Sequence, residues 1–121
     1  MKAIILTCDK YLPFADHTIY SYEKNWKSNP FIFRVPYGEI YPEEIRSKYG
    51  DKVDIIQTDA AKVVHECNQV DTDSDGKVKV SLIKNTVLDL IEDIADDEWI
   101  FWTMDDRYLI DINEKQVKKI D

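Results

Sequence analysis

At 121 residues, with 44% hydrophobic and 33% charged side chains, the chain can bury one core but is too short to divide comfortably into two, so a single domain over 1–121 is expected. Its net charge of −8 opposes phosphate backbones and anionic lipid, and no basic cluster overrides that field, which excludes nucleic acid as an expected partner. The opening MKAIILTCDK is too short an apolar run for a signal-peptide core or a membrane span, so a cytoplasmic protein with no membrane span is expected.

In chain order, Lys2 to Thr7 reads as a buried strand, because AIIL is continuously apolar and rich in β-branched residues. A loop with Pro13 follows. His17 to Trp26 can form a helix with Ile19, Tyr22 and Trp26 on one stripe, stopped by Asn29 and Pro30. Phe31 to Val35 is a second strand, and Pro36, Gly38 and Pro42 mark an irregular connection. Glu43 to Tyr49 reads as a short helix closed by Gly50, and Val53 to Gln57 as the third strand.

Asp59 can cap a helix over Ala60 to Asn68, and the polar DTDSDGK loop separates it from a longer helix beginning near Ser81. There Ile83, Val87, Leu90, Ile91 and Ile94 recur at helical spacing and define a sheet-facing side. Trp99 to Met104 is a strand apolar enough to lie within a sheet covered on both faces. A shorter extended piece around Tyr108 to Ile112 and a charged end follow. Strands alternating with helices imply parallel pairing through right-handed crossovers, hence a three-layer α/β/α sandwich with a mainly parallel, doubly wound sheet.

Cys8 and Cys67 lack the spacing of a zinc site or a disulfide framework and are expected to be reduced; His65, two residues before Cys67, would face another way on a helix. Gly38, Gly50 and Gly76 form no GxGxxG or P-loop pattern. No Ser-His-Asp order or GxSxG turn can be assembled. A phosphorylated ligand must then be neutralised by a cation on carboxylates or by basic side chains.

Asp105 and Asp106, at the carboxyl end of the last apolar strand, suit the first route, because open α/β sheets bind ligands beyond their carboxyl ends and hard oxygen ligands suit magnesium or manganese. The alternative is a solvated acidic turn. In an extended chain the two side chains would point to opposite faces, so both reach one ion only if the backbone bends there. Lys84, in the first turn of its helix, and Arg34, near the end of the second strand, are candidates for the phosphate, each with a solvated or structural role as the alternative.

The start MKAIILTC, the helix SLIKNTVLDLIED and the strand ending in MDDR resemble, over most of the chain, the nucleotide-binding half of GT-A type glycosyltransferases. The resemblance implies a nucleotide-sugar donor, an unidentified acceptor, and Mn2+ or Mg2+ bound where the family carries a DxD motif, here Asp105 and Asp106 with Arg107 in place of the final acid. It also implies that Thr7, Cys8, Asp9 and Tyr11, in the first βα loop, meet the base and ribose; a plain strand exit with a small buried thiol is the other reading of those residues. The family's acceptor half has no counterpart after MDDR, so donor binding rather than turnover is the expectation.

Asp71, Asp73, Asp75 and Gly76 match the opening of a calcium loop, but Leu82 stands where a bidentate glutamate belongs, so only weak Ca2+ binding or a hydrated connector is expected there. The competing function is a non-catalytic α/β binding or interaction module, with or without calcium at 71–82.

Overall fold

The computed structural model describes residues 1–58 and 80–113. Four strands, β1 (Lys2–Leu6), β2 (Ile32–Tyr37), β3 (Val53–Gln57) and β4 (Ile100–Met104), form one all-parallel sheet in the order β3-β2-β1-β4. Helices α1 (Leu12–Asn25) and α2 (Glu43–Tyr49) make the β1-to-β2 and β2-to-β3 crossovers. Both step the same way, so right-handed connection puts them on one face; α3 (Val80–Ile91) precedes the step back to β4 and packs against β1 and β2 on the other. The α/β sandwich with a parallel sheet is thus the fold.

The main core lies under α1 and α2, where alternate strand residues Ala3, Ile5, Phe33, Val35 and Val53 meet Leu12, Ala15, Ile19, Tyr22, Trp26 and Ile45. Phe31 stacks on Phe101 at 4.8 Å and takes the edges of Trp26 and Tyr22, closing the amino end of the sheet. Each fully buried large side chain contributes about 1.5–3 kcal/mol. On the α3 face Ile4 and Leu90 are fully buried, Thr86 is buried, and Val87 and Ile91 are half-buried.

Two boundaries and the burial of one strand differ from the sequence expectation. Helix α1 begins at Leu12, not His17, because Pro13 occupies the first turn, where its missing N–H costs nothing. Strand β2 runs on through Pro36, since the β1 ladder ends at the Ile4–Arg34 pair while the β3 ladder continues to Tyr37–Gln57, leaving that stretch of β2 without a β1 partner. Strand β4, expected to be buried on both faces, is an edge strand among the described residues, with Trp102 53% and Met104 44% exposed.

Tyr108 to Ile112 is irregular rather than extended, and Leu109 and Ile112 pack against the core. Gly50 ends α2 at φ +51°, as the capping position required. The helix expected over 60–68, the acidic loop with Asp71, Asp73 and Asp75, and Cys67 lie outside the described residues.

Candidate functional site

Strand order reverses between β1 and β4, and their carboxyl ends lie side by side because Leu6 pairs with Met104. In doubly wound sheets that position forms a ligand crevice. The chain bends there. Arg107 N–H donates to Met104 O at 3.2 Å, so Asp105 and Asp106 are the two central residues of a turn, and Asp105 N–H donates to Leu6 O at 3.3 Å. The bend that two carboxylates on one ion would require is therefore present.

Thr7 Oγ1 donates to Asp105 Oδ2 at 2.9 Å, which joins the first βα loop to the acidic turn. Burial raises the Asp105 carboxyl above the usual value of 3.8; the Thr7 bond opposes that shift, and the charge of Asp106 adds to it. Asp106 is exposed, with the Arg107 guanidinium 3.9 Å away. Among the described residues no set of three His, Cys, Asp or Glu side chains converges to hold a metal. Two carboxylates still fit Mg2+ or Mn2+, which bind a phosphorylated ligand through one or two acids and complete their shell with phosphate oxygens and water.

The remaining candidates divide. Thr7 and Cys8 are buried beside Asp105, and burial is the main cause that pushes the Cys8 thiol up, so it stays a protonated, free thiol. Asp9 is 6% exposed, and its carboxylate accepts the N–H groups of Gly38, Glu39 and Ile40 at 2.7, 2.8 and 3.1 Å. It ties the β1 exit to the β2 exit, so its charge is already engaged. Tyr11 is exposed and tilts against Phe14.

Arg34 faces α3, away from the carboxyl ends. It donates to Leu90 O at 3.0 Å and to the Asp93 carboxylate, and it lies 3.4 Å from Asp54, which also pairs with Lys2 at 2.8 Å. Lys84 is exposed on α3, in the second turn rather than the first because the helix starts at Val80. The structure thus gathers Thr7, Cys8, Asp105 and Asp106, and leaves Arg34 and Lys84 on α3 and its sheet face.

Sequence reading missed the polar row on α1 that holds the turn. Thr18 Oγ1 donates to Asp105 O at 2.7 Å, Leu109 N–H donates to Ser21 Oγ at 2.9 Å, and Asn25 Nδ2 donates to Leu109 O at 2.7 Å. Their spacing of three and four is the available signal: a polar stripe flanking the apolar Ala15, Ile19, Tyr22 stripe needs partners when it is covered.

A cleft of about 940 Å³ opens between α1 and the segment from Ile40 through α2. No protein-family model, curated protein or solved structure matches the chain. Fold and site define an α/β domain with a doubly wound parallel sheet and an acidic turn at its strand reversal. Among the described residues no helix is long and apolar enough to cross a membrane.

Proposed function

We propose that this is a glycosyltransferase-like domain that binds a nucleotide-diphosphate sugar over the carboxyl ends of β1 and β4, through Mn2+ or Mg2+ on Asp105 and Asp106. The observation that carries it is placement: the two adjacent acids form a turn beside the β1 exit, where strand order reverses. A divalent ion there neutralises the diphosphate and favours its departure. Thr7 orients Asp105, Thr18 holds the turn by its backbone, and the exposed ring of Tyr11 offers a stacking surface to a base.

A second reading, a non-catalytic α/β binding module, draws on the structural employment of Asp9 and Arg34, whose charged ends are already engaged by backbone amides and by α3 with Asp93. Calorimetric titration with nucleoside diphosphates in the presence of manganese, calcium or chelator separates the two. Manganese-dependent binding weakened at least roughly tenfold in Asp106→Asn supports the donor site. Nucleotide binding indifferent to manganese and to that substitution, or no binding, rejects it; calcium binding without nucleotide favours the module.

A further inference from the structure

Neighbouring helices on one sheet face ordinarily bury apolar stripes against each other. Helices α1 and α2 instead face each other across the open cleft, bridged by polar contacts. Tyr49 Oη donates to Asp16 Oδ1 at 2.6 Å, and Lys48 Nζ donates to Asp16 Oδ2 at 2.6 Å, so two long side chains of α2 reach one carboxylate of α1. Burial, followed by the Asp16 bond, pushes the Tyr49 phenol well up, which keeps it a donor. The opposite wall is also fixed, since the Asp9 carboxylate holds the amides of Gly38, Glu39 and Ile40. The cleft is a preformed cavity of ligand size.

Its chemistry is one-sided. Of the four carboxylates that line it, Asp9 is held by backbone amides and Asp16 by Lys48 and Tyr49, which leaves the exposed Glu43 and Glu44 to face a ligand, with His17 as the remaining titratable side chain in the lining besides the tyrosines. Tyr20, Tyr41 and Ile40 line it with half-exposed apolar surface, and Lys24 Nζ already lies 5.9 Å from the centroid of the Tyr20 ring, so Tyr41 is the ring left to meet a cation. Aromatic faces with carboxylates nearby attract a cation that carries an apolar body, through the ring quadrupole and the charge together. A nucleotide is repelled by the same acids. We propose that the cleft between α1 and α2 is a binding site for an organic ammonium ion bearing an aromatic or aliphatic group, distinct from the acidic turn. The ammonium lies over the Tyr41 ring beside Glu43 and Glu44, and the apolar group lies against Ile40 and the edge of Tyr20.

The test is an NMR titration of the full chain with benzyltrimethylammonium, neutral benzyl alcohol and anionic benzylsulfonate. Saturable shifts at the amides of Tyr20, Tyr41 and Glu44, with the cation at least roughly tenfold tighter than the alcohol and no binding of the sulfonate, are expected. Tyr41→Ala, and separately the pair Glu43→Gln with Glu44→Gln, lower cation affinity by roughly fivefold or more while circular dichroism stays unchanged. Asp106→Asn leaves it unaltered, so this outcome is independent of the nucleotide reading. Equal binding of alcohol and cation, sulfonate shifts at the same amides, variants that bind like the parent, or no saturable binding would each overturn the proposal.

Discussion

Asp105 shows how much a single carboxylate is asked to do. It is half-buried, it accepts the Thr7 hydroxyl, and it sits beside Asp106, so ionising it costs desolvation and repulsion that the Thr7 bond offsets only in part. The sign of the pH dependence follows. A folded-state value raised above the ordinary 3.8 means that its contribution to stability is complete only below that value and is lost as pH rises through the raised one. Asp105→Asn, whose amide oxygen can still accept from Thr7, is expected to raise stability at pH 7 by about 0.5 kcal/mol, after discounting for solvent screening. The gain should shrink toward pH 4. Thermal unfolding of both proteins at the two pH values checks this; an unchanged or lower midpoint at pH 7 would show that the charge is already compensated.

At the scale of elements, α3 is joined to the sheet by Arg34 as well as by Leu90. The buried guanidinium donates to Leu90 O, near the carboxyl end of α3, and pairs with Asp93 just beyond it, where the helix dipole favours a cation. Arg34→Met keeps much of the aliphatic contact but removes those bonds. A loss of about 2 kcal/mol in urea unfolding is expected, with faster amide exchange across the last turn of α3. The pairing has its own pH signature. The Arg34 bond holds the Asp93 carboxyl below its usual 3.8, so that contribution is present above 3.8 and disappears as pH falls through the lowered value. The same scale explains Arg34's absence from the ligand crevice: its strand position pairs it with Ile4 and Asp54, and so sets it on the α3 face.

For the whole molecule, 24 acidic against 16 basic side chains give a net charge of −8, and self-repulsion of that kind weakens the compact state. Raising sodium chloride from about 0.02 to about 0.5 M shortens the screening length several-fold. An upward shift of a few degrees in the unfolding midpoint is expected; a downward shift would mean that ion pairs such as Lys2–Asp54 and Lys48–Asp16 outweigh the general repulsion. The charge also separates the two candidate sites. On the proposed readings, a metal at the acidic turn would admit an anionic ligand there, whereas the cleft between α1 and α2 would keep its preference for a cation.

Local sequence was enough to locate the four strands and the inward faces of α1 and α3, but not the start of α1, the run of β2 through Pro36 or the exposure of β4. The continuous apolar run AIIL gave β1, the Ile19, Tyr22 and Trp26 spacing gave the buried side of α1, and Val87, Leu90 and Ile91 gave that of α3. Those patterns are legible because strand and helix periods are short-range properties of the backbone. Asp105 and Asp106 were legible as a strand end for the same reason. Only the tertiary structure decided that the chain turns at those acids, that Thr7 and Thr18 hold the turn, that Asp9 and Arg34 are engaged elsewhere, and that α1 and α2 stand apart around a cleft. Each of those contacts joins residues from separate elements, as Thr7 joins Asp105 and Asp9 joins Gly38, and strand order and crossover hand, rather than local periodicity, bring such residues together.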